Sequence, residues 1–155
     1  MEEERQFDDL LEETLRRLEE DLKSLEFISV SKAGIRRLEL PHGLGWVDYR
    51  PLTGLEIEIF EEKRVKPRWR QVFAKDVTTE VELVSNWAEA FRYLFTTAIV
   101  DFELKVSPEE VVRFSDFKRR EEAVSFLMDL HYKLQRYIAF HILKVSGWEP
   151  PRIGG

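Results

Sequence analysis

The densest set of chemically useful side chains in the sequence is a basic segment at residues 63–70. Its five cations and one aromatic ring are Lys63, Arg64, Lys66, Arg68, Trp69 and Arg70. On a hairpin turn, such cations can hold phosphates and the ring can stack on a base. Alternatively, Arg68 and Arg70 lie across from Glu58 and Glu62 and form cross-strand ion pairs. The segment therefore indicates either a hairpin that binds an anion or a partner, or a set of structural ion pairs.

The other side chains that could do chemistry are dispersed. The chain has three histidines and no cysteine. His131 and His141 are ten residues apart, which is about 15 Å along a helix and too far for both to ligate one metal ion. The acidic residues fall mostly on predicted solvent-facing helix surfaces beside basic partners. We therefore predict no metal site, no cofactor and no catalytic residue, and we expect a protein that is not an enzyme.

Arg136 and His141, with four residues between them, form an Arg-x4-6-His pattern. This pattern resembles the signature of HEPN-type ribonucleases, in which an Arg and a His cooperate at a dimer interface in metal-independent RNA cleavage. The resemblance covers six residues and implies an all-helical bundle. It departs from the family at Tyr137, where a polar residue often follows the Arg, and Arg37 with His42 has the same spacing.

The composition indicates the class of protein that contains these residues. The chain has 155 residues, 43% of them hydrophobic, which suits one domain with its own core. Asn86 is the only Asn while Glu and Arg are abundant, a bias typical of thermophiles that a highly charged mesophilic protein can share. The net charge of −6 leaves only a local basic patch for nucleic acid. Acidic residues open the chain and no long apolar run occurs, so we expect a cytoplasmic protein without a membrane span.

The first predicted element is an amphipathic helix from Glu2 to about Glu26. Its apolar residues recur at alternating spacings of four and three: Leu11, Leu15, Leu18, Leu22 and Leu25. Acidic residues crowd its first turn, where they suit the helix dipole. The narrow seam fits a surface helix that lies on a sheet. It also fits a helix that binds a partner helix or self-associates.

The middle of the chain has the patterns of strands and short turns. We predict strands at Phe27–Ser31, Ile35–Leu40, Gly45–Tyr49, Leu55–Glu62, Arg68–Ala74 and Val77–Leu83. Turns rich in Gly and Pro separate most of them, and such short connections require antiparallel neighbours. Residues 55–59 alternate strictly between apolar and acidic types, which is typical of a strand with one buried face. Residues 27–84 are therefore predicted to form an antiparallel meander sheet of five to six strands.

The C-terminal half has helical periodicity. One helix is predicted from Trp87 to about Val100, and Ser107 followed by Pro108 is a typical helix start. A long helix is predicted from Ser115 or Asp116 to about Ser146. Residues 101–106 fit either an edge strand or the tail of the preceding helix. The predicted fold class is α+β, with an N-terminal helix, the antiparallel sheet and C-terminal helices that include one long helix.

The long helix is apolar around more of its circumference than a surface helix requires. Its candidate interface residues are Leu127, Leu130, Leu134, Tyr137 and Ile138. Either the helix runs through the middle of the domain, or another chain covers its second face, as in a homodimer. We expect a single domain over residues 1–146 and an extended tail over residues 147–155, in which Trp148 could dock on a partner.

Three functional hypotheses follow from these patterns. The leading one is a non-enzymatic protein-interaction module that self-associates through its helices and serves as an adaptor, inhibitor or structural subunit of a larger assembly. The second is a nucleic-acid-binding accessory protein that uses residues 63–70. The third is the metal-independent ribonuclease that the short resemblance implies.

Overall fold

The computed structural model describes residues 2–25, 27, 29–73 and 77–150, and their side chains except those of residues 2, 31, 32 and 66–84. The chain divides into two compact units, Met1–Ala33 and Gly34–Gly155. We call the first of these the N-terminal unit and the second the main unit. The single domain predicted over residues 1–146 stays a prediction.

The N-terminal unit is helical. Helix α1 covers Glu2–Lys23 and confirms the predicted N-terminal helix. A short helix α2 follows at Val30–Ala33. The strand predicted at Phe27–Ser31 is therefore wrong at its C-terminal end. Val30 and Ser31 form a helical turn that ends at Gly34, whose φ of +73° suits a residue without a side chain.

The main unit begins with two predicted strands that the structure confirms. Strand β1 covers Arg36–Glu39, strand β2 covers Gly45–Tyr49, and they pair antiparallel. Leu38 lies opposite Val47 on the face that packs on the core. On the other face, Arg37 Nε lies 2.7 Å from Asp48 Oδ1.

Helix α3, at Gly54–Arg64, replaces the strand predicted at Leu55–Glu62, so that prediction is wrong. Thr53 and Glu56 form a capping box. Glu56 N donates to Thr53 Oγ1 at 3.3 Å, and Thr53 N donates to Glu56 Oε1 at 3.0 Å. These bonds satisfy amides that the first turn of a helix leaves without partners. The cap starts a helix here in spite of the strand-like alternation of residues 55–59.

A long hairpin follows α3. Strand β3, Val65–Phe73, pairs antiparallel with strand β4, Val77–Ser85, as a separate two-stranded sheet. These strands contain most of the segments predicted at Arg68–Ala74 and Val77–Leu83. Residues 74–76, which join the strands, lie outside the described residues.

Helix α4 covers Trp87–Ala98 and confirms a predicted helix. Asn86 caps it by accepting a hydrogen bond from Glu89 N at 3.2 Å. Strand β5 starts at once and covers Ile99–Ser107, so residues 101–106 are a strand. Arg120 Nε donates to Thr96 O at 2.7 Å, and this bond satisfies a carbonyl that the last turn of α4 leaves without a helical partner.

The helix predicted to start at Ser107 is wrong. Pro108 and Glu109 form a turn, and strand β6, Glu110–Arg113, pairs antiparallel with β5. The β-branched residues Val111 and Val112 suit a strand there. The sheet order is β1-β2-β5-β6. The α+β class is confirmed, with four strands in the sheet where five to six were predicted.

The predicted long helix is broken in two, so that prediction is also wrong. Helix α5 covers Arg120–Met128, and helix α6 covers Tyr132–Val145. His131 caps α6, because its Nδ1 accepts a hydrogen bond from Lys133 N at 3.1 Å. The buried Gln135 donates to Met128 O at 2.7 Å and to Leu130 O at 2.9 Å, so the carbonyls at the break have partners.

The core of the main unit joins the sheet to its helices. Helix α4 contacts α3, α5 and α6 as well as strand β5. The largest side chains that are at most 1% exposed are Leu52, Phe60, Phe91, Leu94, Phe95, Ile99, Phe102, Leu127, Ile138, Ile142 and Leu143. Burial of these apolar side chains is the main favourable contribution to folding of the main unit.

Candidate interaction surfaces

The basic segment does not form the tip of a hairpin, so that part of its prediction is wrong. Lys63 and Arg64 end helix α3, and Lys66, Arg68, Trp69 and Arg70 follow along strand β3. Pairing between β3 and β4 continues beyond the segment, as far as Phe73 and Val77. The helix that the Thr53 cap starts runs through the residues that were expected to be a strand, and it places the basic segment at the end of α3 and in β3. Anion binding by the segment stays a prediction.

Strand register gives the two arginines of β3 different neighbours from those predicted. Arg68 pairs with Glu82 and Arg70 pairs with Glu80, whereas Glu58 and Glu62 lie in helix α3. The register therefore places one acidic residue opposite each arginine.

Lys63 and Arg64 have partners within the main unit. Arg64 Nη2 lies 2.7 Å from Glu61 Oε2, and its guanidinium carbon lies 5.2 Å from the centre of the Trp87 ring. The Arg64 side chain is only 11% exposed. Lys63 Nζ lies 3.8 Å from Glu89 Oε1. Lys63 and Arg64 therefore form ion pairs within the main unit, although the predicted ion pairs involved Arg68 and Arg70 instead.

Glu61 also holds the beginning of the predicted tail. Its carboxylate accepts hydrogen bonds from Arg64 and from Trp148 Nε1. Burial acts to raise the pKa of Glu61, but the bonds from Arg64 and Trp148 outweigh burial and hold the pKa below its ordinary value. The Trp148 ring stacks on Phe140 at 6.2 Å between ring centres. Trp148 therefore docks on the chain itself.

The predicted interface of the C-terminal helices lies partly inside the core. Leu127 is 1% exposed and Ile138 is 0% exposed. Leu130 and Leu134 are half-buried against the core, and Tyr137 is 37% exposed. The broad apolar surface of α5 and α6 is thus explained in large part by packing within the main unit, including on α4.

A half-open cleft of about 510 Å³ lies between strands β5 and β6 and the break between α5 and α6. Its apolar lining includes Leu104, Phe126 and Leu134, and Lys105, Glu110, Asp129 and His131 supply polar groups. Nδ1 of His131 accepts the hydrogen bond from Lys133 N that caps α6. The lining contains no serine, threonine or cysteine nucleophile.

Arg136 and His141 lie on helix α6, where each side chain contacts aromatic neighbours within the chain. A step of five positions along the helix places the two residues about 140° apart around its axis. The Arg136 guanidinium carbon lies 5.6 Å from the ring centre of Tyr132 and 5.5 Å from that of Phe140. His141 packs on Tyr137, with 4.5 Å between ring centres. The sheet of the main unit also differs from the all-helical bundle that the resemblance implies.

Among the described residues, the longest run of exposed apolar side chains lies on helix α1. The leucine seam consists of Leu11, Leu15, Leu18 and Leu22, which are 48%, 52%, 50% and 63% exposed. Spacings of four and three place these side chains in one line along the helix. Phe7 and Leu10, near the start of the seam, are 66% and 60% exposed. A run of exposed apolar residues of this length is typical of a surface that binds another molecule.

No protein-family model, curated protein or solved structure matches this chain. Within the described residues, no group of three His, Asp or Glu side chains is arranged to hold a metal ion. No helix in the same part of the chain has the length and apolar content needed to cross a membrane.

Proposed function

We propose that the protein is a non-enzymatic interaction module that binds a partner helix along the leucine seam of α1. It would act as an adaptor, inhibitor or structural subunit of a larger assembly. The single observation that carries the proposal is the exposure of about half of each leucine side chain in the seam. The C-terminal helices are a weaker candidate, because the main unit already buries Leu127 and Ile138.

Energetics support a role for α1 in binding. Full burial of one leucine side chain contributes about 1.5–3 kcal/mol, so burying the exposed half of four leucines would contribute on the order of 4 kcal/mol before the cost of association. Most of the stability of a helix in a protein comes from packing of its amphipathic face, so packing on a partner would also stabilise α1 itself.

Nucleic-acid binding by residues 63–70 has less support. The register places Glu82 and Glu80 opposite Arg68 and Arg70, and Arg64 is paired with Glu61. Neighbouring acids of this kind reduce the attraction of a basic segment for phosphates. We therefore place partner binding on α1.

The test is affinity capture from an extract of the organism that produces the protein, followed by reconstitution with the purified partner. The variant Leu15→Gln with Leu18→Gln removes apolar surface from the seam and keeps good helix formers. The matched control is Leu55→Gln, because Leu55 is 68% exposed on α3. We expect the partner to be lost with the double variant and kept with the control. A partner that binds all three proteins equally well would contradict the proposal.

A further inference from the structure

The negative charge of the protein is concentrated in helix α1. This helix contains ten acidic and four basic residues, and the whole chain contains 30 and 24, so the rest of the chain carries 20 of each. The full net charge of −6 therefore belongs to α1. The same helix therefore presents both the exposed leucine seam and the net negative charge to a partner.

Several of these acids border the leucine seam. Glu12 follows Leu11, Glu19 follows Leu18, and Asp21 precedes Leu22. In paired helices, the residues next to the apolar seam face their counterparts on the partner and select it by charge. Helix α1 thus offers acidic flanks to whatever covers the seam.

A second copy of α1 does not match these flanks. In an antiparallel pair with the leucines aligned, Glu12 of one copy faces Glu19 of the other. In a parallel pair, Glu19 faces Thr14. Neither arrangement brings a cation of the other copy to these acids, and like charges facing each other beside the seam disfavour the pair.

We infer that the partner is a basic amphipathic helix of another protein, with an apolar stripe that covers the leucine seam and lysine or arginine on both sides of that stripe. This inference rests on the proposed function and specifies its partner. Oppositely charged flanks add attraction to the burial of the leucines, and they exclude a second copy of α1.

The experiment measures binding of the full chain to two synthetic helical peptides by fluorescence anisotropy. The peptides have the same leucine stripe, one with lysine and one with glutamate in the flanking positions. We expect the lysine peptide to bind at least about tenfold more tightly, with a preference that weakens at high salt. The protein variant Glu12→Lys with Glu19→Lys should reverse the preference. The variant Glu13→Lys with Glu20→Lys makes the same charge change away from the seam and should keep it.

The outcomes separate the two proposals. Equal binding of both peptides, lost with Leu15→Gln and Leu18→Gln, would support the interaction function and overturn the basic partner. If the seam variant still binds the lysine peptide, the binding comes only from the acidic residues and not from the leucines. This result would overturn the inference. If the protein forms concentration-dependent dimers and the seam variant does not, a second copy of the chain covers the seam. This result would overturn the inference of a basic partner. Binding of neither peptide, or seam-dependent binding to neutral lipid vesicles instead, would contradict both proposals.

Discussion

Glu56 combines two contacts at the start of helix α3. Its carboxylate accepts hydrogen bonds from the Arg50 guanidinium at 2.7 and 2.8 Å and from Thr53 N at 3.0 Å. The Arg50 guanidinium is the main cause that lowers the pKa of Glu56 from 4.5 to about 2, with burial acting in the opposite direction. The charged form of Glu56 is therefore favoured in the folded protein.

We predict that Glu56→Gln lowers the free energy of unfolding by about 1–2 kcal/mol at pH 7. The folded pKa is below the unfolded one, so the ionised carboxylate stabilises the protein above pH 4.5, and this stabilisation is lost as the pH falls from 4.5 towards 2. Urea unfolding across this range should show the difference between wild type and variant shrinking. Glu58→Gln, an exposed change on the same helix, should have little effect. A difference that is constant with pH would contradict this account.

Part of this residue-scale structure could be predicted from the sequence. Thr53 and Glu56 have the spacing of a capping box, and that signal identifies α3 where the alternation of residues 55–59 suggests a strand. The bond from Arg50 could not be predicted, because it depends on how the chain turns between β2 and α3.

At the scale of elements, Gly45 lies where the backbones of strands β2 and β5 are in close contact. A side chain there would place its Cβ 1.9 Å from Glu103 O, and the φ of Gly45 is +123°. Only glycine adopts this backbone conformation readily. Gly45 therefore permits the central strand pairing of the sheet.

We predict that Gly45→Ala destabilises the protein by about 2–4 kcal/mol, through both the steric clash and the backbone strain. Gly54→Ala is the matched control. Gly54 begins helix α3 with open space around its Cβ position, and alanine there should leave stability unchanged or raise it by up to about 1 kcal/mol. Midpoints of urea unfolding measure both changes. Similar midpoints for the two variants would show that the approach of β2 and β5 does not limit the sheet.

Local patterns predicted some elements and not others. Helix α1, strands β1 and β2, and helix α4 each have a regular apolar period or a clear cap, so the sequence was sufficient for them. The break between α5 and α6 was missed because His131 and Gln135 lie within a continuous helical period. Their bonds with Lys133 N, Met128 O and Leu130 O form only where the chain has already turned between the two helices.

At the scale of the whole molecule, the two units differ in net charge and in exposed apolar surface. The main unit has its own core and a balanced charge, and the exposed leucine seam and the net negative charge belong to α1. The spacing of the leucines was visible in the sequence, but their exposure was not. The broad apolar surface of the C-terminal helices suggested an interface with another chain, but much of it is buried in the main unit. Sequence alone does not distinguish a buried helix face from an interface.

Hydrogen exchange of the α1 amides in the full chain, measured with and without the lysine-flanked peptide, tests the central claim most directly. We predict fast exchange of residues 11–22 in the free protein and slow exchange in the complex, because packing on the peptide stabilises the helix. Amides of helix α4 should stay protected in both samples, and the variant Leu15→Gln with Leu18→Gln should gain no protection. If residues 11–22 are already as protected as α4 in the free protein, or if the peptide leaves their exchange unchanged, the leucine seam is not an open binding surface.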